Sequence, residues 1–123
     1  MRRTNILMVE DEPLICEMVS DILCENGFNV HAVADGESAL HYLENGPQVD
    51  ALFTDINLEG RMDGSMLAKE VRQRRPELAI VYCSGRCSVS AIAPLMSRSL
   101  FLKKPYNPDD LCKLLTRLTA AEH

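Results

Sequence analysis

Apolar residues fall in two rhythms along the 123-residue chain. Short, nearly continuous runs occur at Asn5–Val9, Ala51–Thr54, Leu78–Cys83 and Leu100–Lys103, and Phe28–Val33 alternates weakly and also reads as a strand. Runs of this length, rich in Val, Ile and Leu and bounded by turn residues, predict strands buried on both faces of a parallel sheet. Between them the apolar positions recur every three to four residues, which predicts helices. The first helix starts at Pro13, which suits a first helical position. Its expected inward face is Leu14, Ile15, Met18, Val19, Ile22 and Leu23, and Asn26-Gly27 is its stop signal. Asp35-Gly36 opens the second helix, with Ala39, Leu40 and Leu43 inward and Asn45-Gly46-Pro47 at its end. A third runs from Gly64 to Arg75 around Leu67, Ala68 and Val71, and Pro76 stops it. A fourth is expected over 87–99, where Pro94 breaks or kinks it. Asn107-Pro108 caps the last helix, whose Leu111, Leu114, Leu115 and Leu118 keep helical spacing.

Five strands alternating with five helices predict an α/β domain, with a parallel sheet covered on both faces and right-handed crossovers. The topology expected is a flavodoxin-like, doubly wound (βα)5 sandwich of strand order 2-1-3-4-5, forming one domain over residues 1–123. In that order the first and third strands are neighbours. Their carboxyl ends bring Glu10, Asp11 and Asp55 to one edge, where ligands bind in open α/β sheets.

Composition narrows the class. The chain is 46% hydrophobic and 25% charged, enough for an ordinary core. No apolar run is long enough to cross a membrane and no signal-peptide pattern opens the chain, so the expected location is the cytoplasm. Five cysteines (Cys16, Cys24, Cys83, Cys87 and Cys112) include no C-x-x-C pair and are expected as buried or partly buried free thiols. The three histidines are scattered. Net charge is −5, unevenly spread: Thr4 to Gly60 holds twelve acids and no Lys or Arg, whereas the chain from Arg61 onward holds eleven bases and six acids. An acidic front half argues against a nucleic-acid-binding chain.

An aspartate after a strand commonly does no more than cap a turn. Here, however, three carboxylates converge. At ~4 Å and an effective dielectric of ~20, each like pair costs about 4 kcal/mol. Such a cluster calls for a cation or a retained proton. An all-oxygen donor set suits Mg²⁺, which takes one or two carboxylates and keeps waters. The back half offers the matching groups: Lys104 after the fifth strand and Ser84 at the end of the fourth. A phosphoryl group on Asp55 needs a metal ion, a lysine and a hydroxyl donor of this kind.

With these residues in order, the chain resembles the receiver domain of two-component response regulators from about Ile6 to Leu118. The matching features are Glu10-Asp11 after the first strand, Asp55 after the third, Ser84 after the fourth, Phe101 in the fifth and Lys104-Pro105 after it. Asp63-Gly64 matches the family's start of the third helix. The resemblance implies that Asp55 accepts a phosphoryl group from a histidine kinase or histidine phosphotransfer protein. It implies Mg²⁺ on Asp11, Asp55 and the backbone carbonyl of Asn57, with Glu10 acting through water. Lys104 and Ser84 would contact the phosphoryl oxygens, and Phe101 would turn inward as Ser84 moves. Lys104-Pro105 would be a cis peptide. Phosphorylation would bias an equilibrium between two surfaces. Two departures stand out: Glu10 replaces the commoner Asp, and the loop to Asp63-Gly64 is one residue longer, with Glu59-Gly60 where a proline is common.

The function expected is a stand-alone phosphoacceptor that is not an enzyme apart from slow self-dephosphorylation. Its output would be by contact, including a homodimer through the fourth helix, fifth strand and fifth helix, a face carrying Val89–Met96, Arg98 and Lys103. No direct nucleic-acid or membrane partner is expected. A phosphatase of the haloacid dehalogenase type needs an acid/base two residues after the nucleophile, where this chain has Asn57. A phosphorylation-independent module of the same fold is the other alternative.

Overall fold

The computed structural model describes residues 3–46, 48–56, 63–84, 99–103 and 106–120. Five parallel strands, β1 (Asn5–Val9), β2 (Asn29–Val33), β3 (Ala51–Asp55), β4 (Ala79–Ser84) and β5 (Ser99–Lys103), form one sheet of order β2-β1-β3-β4-β5. The helices described are α1 (Pro13–Glu25), α2 (Gly36–Asn45), α3 (Gly64–Arg74) and the C-terminal α4 (Pro108–Ala120). The helix expected over 87–99 lies outside the described residues, apart from Ser99, which opens β5. The α/β class and strand order predicted from periodicity are those observed.

Alternation within the strands supplies two cores. Leu7, Val9, Leu52, Ile80 and Tyr82 face one side and pack with Ala39 and Leu43 of α2 and Leu67, Ala68 and Val71 of α3. Ile6, Met8, Phe53, Val81 and Cys83 face the other, against Val19 and Leu23 of α1 and Leu111, Cys112 and Leu115 of α4. Burial of both faces explains why β1, β3 and β4 show no polar alternation, whereas the edge strand β2 is largely exposed.

Local chemistry sets the helix ends. The Asp35 side chain accepts from the Ser38 amide at 2.7 Å, and Asp63 from the Met66 amide at 2.9 Å. Asn107 accepts from the Asp109 amide at 2.9 Å. Gly27 has φ +92°, which lets the Phe28 amide reach the Leu23 carbonyl at 3.1 Å and the Gly27 amide reach Cys24 at 3.1 Å. That pair of bonds is a Schellman motif, closed by burial of both Leu23 and Phe28. The buried Asp50 accepts from the Asn5 amide at 2.8 Å and donates its own amide to the Asn5 carbonyl at 2.8 Å, fixing where β3 begins beside β1.

Two expectations need correction. Leu14 is 82% and Met18 51% exposed, so they do not belong to the inward face of α1. The apolar positions of this helix cover an arc of about 200° at ~100° per residue, wider than the stripe one sheet face can cover. Val19 and Leu23 are buried, Ile15, Cys16 and Ile22 partly so, and the outer edge of the arc is left among Glu17, Asp21 and Glu25. Cys24, expected to be at least partly buried, is exposed, whereas Cys83 and Cys112 are buried and Cys16 is intermediate.

Candidate functional site

The pairing register builds the site. Val9 lies opposite Thr54, and Asp55 opposite Cys83. Glu10 therefore follows β1 at the level where Asp55 closes β3. Asp55 is the last residue of the strand rather than the first beyond it. Glu10 and Asp55 are buried, at 6% and 5% exposure, and Asp11 is half-exposed. Carboxylates at this depth repel one another more than they would at the surface.

Backbone bonds hold the carboxyl edge in place. The Glu10 amide donates to the Val33 carbonyl at 3.0 Å, and Glu10 Oε2 accepts from the Glu12 amide at 3.1 Å. The second bond does for the start of α1 what a capping side chain does elsewhere, since Glu12 makes no side-chain cap of its own. The Ile56 amide donates to the Cys83 carbonyl at 2.9 Å, and the Gly64 amide to the Ile56 carbonyl at 2.8 Å. Thr54 Oγ1 donates to the Asp55 carbonyl at 3.0 Å. Ile56 is thereby held between β4 and the first turn of α3.

That clamp needs a glycine. A Cβ on Gly64 would overlap the Asp55 carbonyl oxygen and stand 2.6 Å from the Ile56 Cα and 2.9 Å from the Asp55 carbonyl carbon. The Asp63-Gly64 pair thus has two separate tasks: Asp63 caps α3, and Gly64 lets the cap sit against the end of β3.

Tyr106 completes one wall. Its ring stands edge-on to Phe53, with centroids 5.8 Å apart and planes at 90°. Burial chiefly, then the charges of Cys83, Glu10 and Asp55, push the Tyr106 hydroxyl above its ordinary pKa. Cys16 is also raised, by burial first, with Ser20 opposing and Glu10 adding to the shift.

Of the residues expected at the site, Glu10, Asp11 and Asp55 come to the same sheet edge. Ser84 ends β4 and its backbone pairs with Lys103, so β5 delivers the chain to the same edge just before Lys104. Lys104, Pro105 and Asn57 lie outside the described residues, as do the side chains of Ser84 and Phe101. Among the described residues no three His, Cys, Asp or Glu side chains gather into a metal cage. Glu10 Oε2 accepts from the Glu12 amide, and Asp11 and Asp55 stand at the same edge. Two carboxylates completed by waters and a carbonyl are the composition Mg²⁺ accepts. Tyr106 went unread in the sequence, although an aromatic directly after Lys104-Pro105 was the available signal.

Fold and edge together define a doubly wound α/β domain with acidic residues at its topological switch point. The chain belongs to the response regulator receiver domain family, whose model matches residues 6–116. It is 31% identical over 116 residues to the nitrogen assimilation regulatory protein NtrX of Azorhizobium caulinodans, covering 92% of this chain and 25% of that protein. Among solved structures, a response regulator receiver protein from Sinorhizobium medicae superposes with a TM-score of 0.90 at 29% identity, covering 99% and 98% of the two chains. The chemotaxis response regulator CheY4 of Vibrio cholerae superposes with a TM-score of 0.84 at 28% identity, covering 95% and 99%. The chain spans about a quarter of the length of the NtrX relatives it matches. No helix among the described residues is long and apolar enough to cross a membrane.

Proposed function

We propose that this chain is a phosphoacceptor of a two-component system or phosphorelay, with Asp55 as the residue modified. The observation that carries the reading is the buried pairing of Glu10 and Asp55 on adjacent strand ends, locked by Gly64 against the Asp55 backbone. A cation bound beside two buried acids offsets their mutual repulsion.

The reaction follows from the residues. An oxygen of the ionised Asp55 attacks phosphorus in a phosphohistidine of a histidine kinase or phosphotransfer protein. The phosphorus–nitrogen bond breaks as the phosphorus–oxygen bond forms, and the imidazole leaves with the electron pair. Asp55 needs no general base because it reacts as the carboxylate. Asp11, Asp55 and the Asn57 carbonyl would hold Mg²⁺, with Glu10 reaching it through water; the ion supplies charge neutralisation at the transferring oxygens. Lys104 and Ser84 would bind those oxygens. Phe101 would carry the change to the face formed by the 87–98 segment, β5 and α4, which a second copy of the chain could then engage. Exposed Leu14 and Met18, on the helix that begins two residues after Asp11, suit an apolar contact with the phosphodonor. The cytoplasm is where such donors and Mg²⁺ meet. The chain itself would turn over nothing beyond slow loss of its own phosphoryl group.

Incubation with a small phosphodonor and Mg²⁺, followed by intact mass measurement, tests the reading. One phosphoryl group should be gained by the wild type and none by Asp55→Ala. An unmodified wild type would leave a phosphorylation-independent binding module, and continuous release of phosphate would mean a phosphatase.

A further inference from the structure

Glu10, Asp55 and Cys83 form a row across one face of the sheet. Strand residues two apart share a face, and the register places Met8, Phe53 and Val81 side by side one step below. Asp55 lies at the centre of the upper row, above Phe53. Tyr106 meets this face at Phe53, ring edge to ring face, among the side chains of the α1 and α4 core. Burial first, then Cys83, Glu10 and Asp55, raise the pKa of its hydroxyl. The aromatic contact holds the ring beside Phe53, which lies on the same face as Asp55 two residues before it.

We propose that the Tyr106 hydroxyl donates a hydrogen bond to the phosphoryl group on Asp55, a donor additional to Ser84 and Lys104. This rests on the phosphoacceptor role of Asp55 proposed above. Phosphorylation replaces a carboxylate with a group of about −1.5 to −2 charge and three strong acceptor oxygens. The row therefore needs more donors after transfer than before. A phenol is suited to that place. It is neutral in the physiological range, so it does not compete with a cation for the acids and remains an O–H donor. Packing on Phe53 fixes it in advance, which is what makes a donor to a developing anion effective.

Beryllofluoride with Mg²⁺ serves as the probe, because it mimics an aspartyl phosphate without turnover. Calorimetric titration of the wild type is compared with Tyr106→Phe, which keeps the ring on Phe53, and Tyr106→Leu, which does not. Tyr106→Phe should bind beryllofluoride about 10- to 150-fold more weakly, the loss of one hydrogen bond to an anion, with unchanged Mg²⁺ affinity and melting temperature. Tyr106→Leu should show that loss together with a lower melting temperature. Wild-type beryllofluoride affinity in Tyr106→Phe overturns the proposal, and so does an equal loss of Mg²⁺ affinity, which would make the effect structural. A wild type that binds Mg²⁺ but no beryllofluoride refutes instead the phosphoacceptor reading on which it rests.

Discussion

Gly64→Ala is the sharpest single perturbation of this site. The added methyl meets three atoms of one peptide unit: it overlaps the Asp55 carbonyl oxygen and stands 2.6 Å from the Ile56 Cα and 2.9 Å from the Asp55 carbonyl carbon. No side-chain rotation can relieve contacts with main chain. Either the first turn of α3 or the end of β3 must move by roughly 1 Å to restore ordinary van der Waals spacing. Overpacking of this kind costs ~1–3 kcal/mol, toward the upper end where backbone must yield. Movement of α3 weakens the bond from the Gly64 amide to the Ile56 carbonyl, 2.8 Å in the native chain. Movement of β3 displaces Asp55, and a misplacement of ~1 Å at a reacting group can cost 10²-fold in rate. Two measurements separate these routes. Urea denaturation should show a lower midpoint with unchanged slope, corresponding to ~2–3 kcal/mol. The rate of modification by a small phosphodonor, measured by mass at a temperature where the variant is fully folded, should fall at least tenfold, up to ~10²-fold. A Gly64→Ala chain with wild-type stability and wild-type modification rate refutes the clamp, because it would mean that α3 does not press against Asp55 at all.

Other outcomes follow from the packing and capping. Leu115→Ala, at a fully buried position of α4, should destabilise the chain by ~2–5 kcal/mol in urea. Asp35→Ala removes the cap on the Ser38 amide and should cost ~1 kcal/mol at neutral pH. That amide bond, first among the causes, holds Asp35 below its ordinary pKa of 3.8. The stabilisation is therefore complete above 3.8 and is lost as pH falls through the lower folded value, so the gap between variant and wild type should close only in acid below 3.8. Leu14→Ala and Met18→Ala, at 82% and 51% exposure, should change stability by under ~0.5 kcal/mol. Both should leave modification by a small phosphodonor unchanged while slowing transfer from a phosphohistidine protein, measured with radiolabelled donor; equal rates from both donors count against an apolar docking contact.

Much of this arrangement was readable because it rests on local chemistry. The five apolar runs became β1 to β5, and Asn26-Gly27, Asp35, Asp63 and Asn107-Pro108 mark helix ends where the backbone requires a left-handed residue or a side-chain acceptor. What periodicity could not supply is how wide a stripe the sheet covers. Leu14 and Met18 fit the helical rhythm as well as Ile15 and Val19 do, and only the packing of α1 against α4 and the sheet separates them. The site shows the same division. Residue type and order brought out Glu10, Asp11, Asp55, Ser84 and Lys104, because each is chemically distinctive at a strand end. Gly64 and Tyr106 act through proximity: one by the absence of a Cβ beside the Asp55 carbonyl, the other by resting on a ring two residues before Asp55. Both bear on where Asp55 sits and what surrounds it, rather than on whether it reacts. If so, substitutions at Gly64 and Tyr106 should change rate and phosphoryl binding in graded steps, whereas Asp55→Ala should abolish modification outright.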